Sequence, residues 1–196
     1  MRIIFATTNE GKMKEIRMIM SDLGVEILSM KEAGCNLDIV EDGESFEENA
    51  IIKARAVAGG CNDIVLADDS GLEVDYLNKE PGIYSARYLG EDTPYSVKNK
   101  SIIDRLDGVE DDKRTARFVC AIAAVFPDGT VRTTRGTIEG RITEEPMGEN
   151  GFGYDPIVYV PEFGRTTAQL TAEEKNKVSH RGKALEQMKK YIQEWM

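Results

Sequence analysis

The sequence predicts an α/β fold: a mixed, twisted sheet with flanking helices. Short apolar runs at residues 2–6, 25–30 and 64–67 have strand length, and helical periodicity separates them. Residues 117–126 and 130–137 read as two strands joined by Pro127-Asp128-Gly129, a hairpin that adds an antiparallel part to the sheet. With 196 residues, 41% of them hydrophobic, the chain suffices for one large domain or for two lobes sharing a sheet.

Residues 2–6 form the first expected strand. The polar turn Thr7-Thr8-Asn9-Glu10-Gly11-Lys12 follows, then a helix over 13–23 with Met13, Ile16, Ile19, Met20 and Leu23 on one face. Strand, turn and helix in this order aim backbone N–H groups at a phosphate, and Lys12 adds charge to that field. An ordinary connection capped by Thr or Asn has the same sequence signature, and the P-loop spacing is absent. Residues 25–30 are a second strand. After the acidic turn Glu41-Asp42-Gly43, Ser45-Phe46-Glu47-Glu48 matches a capping box that opens a helix. Phe46, Ala50, Ala54 and Val57 make its buried stripe, Asn49 and Lys53 share another face, and Gly59-Gly60 ends it.

The stretch of greatest chemical interest is Asp68-Asp69-Ser70-Gly71, directly after the apolar run 64–67. Ligands of open α/β sheets bind beyond the carboxyl ends of strands, and a divalent cation would offset the repulsion between adjacent carboxylates. Asp, Ser and Gly equally suit a plain polar turn. A short strand at 72–74 comes next, then a loop marked by Pro81-Gly82. Thr93-Pro94 starts a helix, with Pro at the first helical position, that runs to about Leu106.

Gly148 to Pro156 is a loop in which glycines flank Phe152, either a surface plug or a stacking platform for a ligand ring. Asp155 before Pro156 is expected to be extended and to feed a strand at 157–160. Leu170-Thr171-Ala172-Glu173-Glu174 gives a staple and a second capping box, with Lys175 and Lys177 in the short helix that follows. Ser179-His180-Arg181-Gly182 interrupts, and a final helix over 183–196 buries Leu185, Met188, Ile192 and Trp195. His180 is the only histidine. Next to Arg181 it is a candidate ligand contact, although a lone His is more often structural.

The net charge of −10 argues against a nucleic-acid or anionic-membrane binder, since those use basic stripes. A small anionic substrate is compatible with it if a few cations are focused locally, because bulk charge is screened beyond about 8 Å. Cys35, Cys61 and Cys120 lie far apart with no Cys-x-x-Cys, which argues against structural zinc and for free thiols in a reducing compartment. With no signal-peptide pattern and no apolar stretch of membrane-span length, the expected location is the cytoplasm.

Several segments together resemble the inosine triphosphate pyrophosphatase family, over nearly the whole chain. They are Thr7-x-Asn9-x-x-Lys12; Glu41-x-Gly43-x-Ser45-Phe46-x-Glu48-Asn49-Ala50-x-x-Lys53-Ala54; Ala67-Asp68-Asp69-Ser70-Gly71-Leu72; and Pro81-Gly82-Ile83-Tyr84-Ser85-Ala86-Arg87. Gly151-Phe152-Gly153-Tyr154-Asp155-Pro156 and Ser179-His180-Arg181-Gly182 complete the order. One departure is Thr8, where many members have Gly. The resemblance implies a single domain over 1–196, made of two lobes with the active-site cleft between them. It implies hydrolysis of ITP, dITP and XTP to the monophosphate and pyrophosphate, with Mg²⁺ as cofactor and a homodimer as the assembly.

On that resemblance, Glu41 and Asp69 are the metal positions, and Asp69 orients and deprotonates the attacking water. Lys12, Lys53 and Lys175 spread positive charge along the triphosphate, in keeping with electrostatic catalysis. Thr7, Thr8, Asn9, Glu10 and Gly11 make the phosphate turn, and Ser70 adds a neutral hydrogen bond. Phe152, Gly153, Tyr154 and Asp155 form the ring platform. Arg181 or His180 donates to the C6 carbonyl that separates hypoxanthine and xanthine from adenine. Two other readings stand beside this one: a nucleotide-binding sensor without turnover, and an aspartyl-phosphate phosphatase. The phosphatase reading lacks the Asp-x-Asp-x-Thr pattern.

Overall fold

A computed structural model describes residues 1–196. The seven strands are β1 (Arg2–Phe5), β2 (Glu26–Ser29), β3 (Ile64–Val74), β4 (Thr115–Val125), β5 (Val131–Ile142), β6 (Val158–Val160) and β7 (Arg165–Thr166). The five α-helices are α1 (Glu10–Ile19), α2 (Phe46–Ala58), α3 (Tyr95–Arg105), α4 (Ala172–Val178) and α5 (His180–Trp195). All seven strands belong to one sheet in the order β2-β1-β3-β4-β5-β6-β7. β1 runs parallel to β2 and β3, whereas β6 is antiparallel to β5 and β7, so the sheet is mixed as the sequence predicts. No helix is long and apolar enough to cross a membrane.

The chain divides into two compact units, one of Met1–Asp69, Cys120–Gly136 and His180–Met196, the other of Ser70–Val119 and Thr137–Ser179. In the first unit the sheet is buried on both faces. Ile3, Phe5, Ile64, Leu66, Cys120, Ile122 and Ala124 pack with Met13 and Ile16 of α1 and Leu185 and Met188 of α5. The alternate residues Ile4, Ala6, Val65, Ala67, Ala123 and Val125 pack with Ala50, Ala54 and Val57 of α2. Because side chains alternate along a strand, a strand covered on both faces reads as a continuous apolar run, and this is what residues 2–6 and 64–67 look like. The second unit has its own core, in which Leu72, Val74, Ile102, Leu106, Phe118, Ile138, Ile157 and Val158 meet.

Several boundaries differ from the sequence expectation, among them that of β5, which runs on to Ile142 instead of ending at residue 137. Asp68-Asp69-Ser70-Gly71 is not a turn: β3 runs unbroken through it, and Asp68 and Asp69 are only 1% and 7% exposed. Turn preference is overridden because β3 finds apolar burial again at Leu72 and Val74, and because cations neutralise its carboxylates from the side. α1 starts at Glu10 rather than residue 13, since the Asn9 side chain caps it by accepting from the Lys12 N–H at 3.0 Å. α5 starts at His180 rather than 183, so His180, Arg181 and Gly182 lie inside its first turn. Pro94 is the cap of α3, not its first residue. Asp155 opens a 3-10 turn, Asp155–Ile157, because its carboxylate is bonded to Thr167 and Lys175 rather than leaving the chain free to extend.

Of the two expected capping boxes, the one at Thr171 is complete. At α2 the Ser45 hydroxyl accepts from the Glu48 N–H at 3.1 Å, but the Glu48 carboxylate takes the Glu44 N–H at 2.7 Å instead of the cap's own.

An ion cluster fastens the second unit just after β3. The Arg117 guanidinium donates to both Asp75 oxygens, at 3.0 Å each, and the Thr115 hydroxyl adds 2.7 Å. These bonds, led by Arg117, hold the Asp75 carboxyl well below the usual carboxylate range. A carboxyl whose folded value is depressed adds stability above its unfolded value of about 3.9, lost as the pH falls through the folded one. Asp75→Asn is therefore expected to cost about 1 kcal/mol at pH 7, a difference that shrinks as the pH falls below about 3.9 toward the folded value. Urea unfolding of both proteins across that range checks it.

Candidate active site

Two groups of polar side chains stand out, one in each unit. In the first unit, β3 carries Asp68 and Asp69 as neighbours that the pleat sends to opposite faces. Asp68 meets two cations. The Lys12 ammonium, from the first turn of α1, lies 3.0 Å from its Oδ2, and Arg181 Nη2, from the first turn of α5, lies 3.2 Å from the same oxygen. Burial by itself would raise the Asp68 carboxyl; Lys12, Arg181 and Lys53 outweigh it and hold the group far below the usual range. Arg181 is 1% exposed, and its Nη1 also bonds Glu15 Oε2 at 2.5 Å.

Asp69 meets the opposite situation. Its Oδ1 is 3.6 Å from the Lys53 ammonium, which is itself 3.1 Å from Glu41 Oε2. Its Oδ2 is buried with no hydrogen-bond partner. Burial, with Glu41 and Asp68 adding repulsion, overcomes the pull of Lys53 and pushes the carboxyl up to about 6. Burial also works against the charge on Lys53, but Asp68, Asp69 and Glu41 together keep it above its ordinary value. Adjacent carboxylates whose environments push their proton affinities apart are suited to different tasks. Asp68 is tied into ion pairs, and Asp69 keeps one buried carboxylate oxygen without a hydrogen-bond partner.

The turn before α1 is arranged for hydrogen bonding. The Asn9 N–H donates to the Thr7 hydroxyl at 3.2 Å, while Thr8, Asn9 and Glu10 are exposed and Gly11 is half-buried. Ser70 follows Asp69 in β3, half-buried. Cys120 lies in the same core, its thiol pushed up to about 12 by burial, which rules it out as a nucleophile at neutral pH.

In the second unit, Lys175 of α4 pairs with Asp155 at 2.7 Å, both buried, and its ammonium sits 4.9 Å from the centre of the Phe152 ring. Asp155 also accepts from the Phe152 N–H at 2.9 Å and the Thr167 hydroxyl at 2.8 Å. Gly151 has a positive φ of 72°, and a Cβ there would fall 2.2 Å from Asp155 Oδ2, so only glycine lets the loop close on this carboxylate. The Tyr154 hydroxyl donates to the Ser85 carbonyl at 2.6 Å, and Asn99 Nδ2 donates to the Gly153 carbonyl at 3.1 Å. Phe152 is thus half-buried on a loop fixed along its length.

The structure brings Lys12, Asp68 and Arg181 into one cluster and Glu41, Lys53 and Asp69 into a second on the same strand. It joins Phe152, Asp155 and Lys175 in the second unit and buries His180 at the start of α5. Glu15 escapes the sequence reading, although its spacing of three from Lys12 on α1 puts both on one side of the helix. Asn99 escapes as well, and Asn49, expected with Lys53 on a face apart from the buried stripe, is fully buried instead: polar residues at core-facing helical positions were the available signal.

No group of three or more His, Cys, Asp or Glu side chains is placed to hold a metal ion by itself. Glu41 and Asp69, both beside one ammonium and with one carboxylate oxygen unpartnered, fit a hard cation that takes one or two carboxylates and completes its shell with substrate phosphates and water.

Comparison with known proteins identifies the family of the chain. Residues 3–191 match the model of the Ham1 family. The dITP/XTP pyrophosphatase of Bacillus subtilis (strain 168) is 47% identical over 190 residues, covering 97% of this chain and 96% of that protein. That of Clostridium perfringens is 47% identical over 194 residues, covering 96% and 95%. Among solved structures, the Staphylococcus aureus Ham1 protein superposes with a TM-score of 0.88 at 40% identity, covering 100% of both chains.

Proposed function

Because the chain belongs to the Ham1 family, we propose that it hydrolyses non-standard purine nucleoside triphosphates, dITP, ITP and XTP, to the monophosphate and pyrophosphate. The observation that carries the chemistry is the contrast between the two carboxylates of β3, one saturated by cations and the other with a buried, unpartnered oxygen. Asp69 receives the proton of the attacking water at Oδ2. Lys12 and Lys53 balance the negative charge that builds on the phosphate chain, and Asp68 holds Lys12 and Arg181 in place. The turn Thr7-Thr8-Asn9-Glu10-Gly11 offers N–H and hydroxyl donors to phosphate oxygens at the start of α1. Ser70 adds one hydroxyl. Glu41 and Asp69 would hold Mg²⁺, which when bound supplies Lewis-acid polarisation of phosphate oxygens and a more acidic water.

In the second unit, Phe152 presents a ring face for the purine, held by Gly153, Tyr154 and Asp155, while Lys175 is the nearby cation. Donors of His180 and Arg181 favour a C6 carbonyl over an amine, since a buried mismatched polar group costs about 1–3 kcal/mol. The orientation of Arg181 depends on Glu15 and Asp68. Both units serve one pyrophosphatase domain over 1–196. We further assign a homodimer and a cytoplasmic site of action, where such triphosphates would enter the nucleotide pool.

Pyrophosphate release from ITP, dITP, XTP, GTP and ATP, with and without Mg²⁺, tests the reading. Metal-dependent release from the first three, and little from ATP, is expected; equal release from ATP, or none from any, overturns it. Phe152→Ala is expected to raise KM for ITP about tenfold with kcat nearly unchanged, since a base stacked on an aromatic is worth about 1–3 kcal/mol. Steady-state kinetics on ITP check this.

A further inference from the structure

We propose that Asn49 is a positioning residue for Glu41, acting through Gly43, and that this joint sets divalent-cation affinity. The inference rests on the metal role of Glu41 and Asp69 and extends it to residues that touch neither cation nor substrate. Asn49 is 0% exposed on α2, in line with the apolar stripe of Phe46, Ala50, Ala54 and Val57. A buried amide is costly unless its atoms are bonded. Here Oδ1 accepts from the Gly43 N–H at 2.9 Å, while Nδ2 has no hydrogen-bond partner. An apolar residue would avoid that orphaned donor, so the amide is retained for its bond to the loop.

Gly43 interlocks with it. A Cβ at this position would lie 2.8 Å from Asn49 Oδ1 and 2.8 Å from Glu48 Cβ, so the loop backbone rests directly on the helix. Glu48 grips the next residue through the Glu44 N–H at 2.7 Å. The same helix carries Lys53 one turn beyond Asn49, and Glu41, two residues before Gly43, reaches that ammonium at 3.1 Å. One helix therefore holds both the cation between the two carboxylates and the anchor that keeps Glu41 within reach of it. Without the Asn49–Gly43 bond, Glu41 keeps its ion pair with Lys53 but loses the loop anchor, and the metal itself must supply that ordering.

The test is Mn²⁺ titration, read as free ion by EPR, of the unsubstituted protein, Asn49→Leu, Gly43→Ala and the double variant. Each single substitution is expected to weaken Mn²⁺ binding about tenfold, as loss of an outer contact to a metal ligand does. The double variant should be little weaker than either, since both break one joint. The Mg²⁺ concentration for half-maximal turnover should rise in parallel, with kcat at saturating Mg²⁺ within about twofold. Thermal unfolding identifies a purely structural role: a changed Tm with unchanged Mn²⁺ affinity in both single variants overturns the inference and leaves the metal site standing. No Mn²⁺ binding by the unsubstituted protein overturns the metal reading and the inference with it.

Discussion

Asp69→Asn is expected to lower pyrophosphate release from ITP by about 10²–10⁴-fold while ITP still binds, as loss of a general base does. The substitution keeps the shape of the side chain and removes its charge, and with it the ability to take a proton and part of the hold on a cation. Asp69 is nearly buried and has one oxygen near Lys53 and one unpartnered. The amide therefore keeps the packing of the resting protein and gives up only the 3.6 Å pairing with Lys53, and the fold is expected to survive. Isothermal titration with ITP and a pyrophosphate-coupled assay separate the two effects. Unchanged turnover would remove Asp69 from the role of base. Asp68→Asn should behave differently, because it leaves Lys12 and Arg181 facing a neutral group, so its damage extends to stability.

Arg181→Leu is expected to destabilise the protein by about 3–5 kcal/mol, the cost of breaking a buried ion network from one side. Its guanidinium lies between Glu15 and Asp68, with all three side chains within the core of the first unit. Removing it takes a cation from two carboxylates there, although Asp68 keeps Lys12. Adding Glu15→Leu to Arg181→Leu should recover part of the loss, since it removes one of the two buried carboxylates that Arg181 paired. Guanidinium unfolding of the single and double variants checks both statements. An unfolding midpoint for Arg181→Leu equal to that of the parent would mean that water or another cation takes its place.

The sequence reading located the α/β class, the hairpin and the apolar strands, because strands covered on both faces leave a continuous apolar signature at 2–6 and 64–67. It failed where a local preference met a distant partner. Asp68 to Gly71 has the composition of a turn, and nothing nearby in the chain announces that Lys12 and Arg181, far away in sequence, will neutralise Asp68 inside a strand. Gly11 and Gly182 look like helix breakers, yet both lie within helices, at a cost of about 1 kcal/mol each relative to Ala. Asn9 offsets that cost at α1 through its cap. The chemical residues were legible because they come as short clustered motifs. Glu15, Asn99 and the burial of Asn49 were not, since a polar side chain at a core-facing position is informative only once its partner is known.

One strand, β3, supplies apolar side chains to three separate cores and carries both carboxylates between them. Its backbone cannot shift at Asp69 without disturbing packing at Leu66 or Leu72. Evolution is thereby denied the usual route to new specificity, in which a loose loop drifts while the scaffold stays fixed. Diversification in this architecture is expected in the loops outside β3, and laboratory selections for altered substrates should find their tolerated changes there.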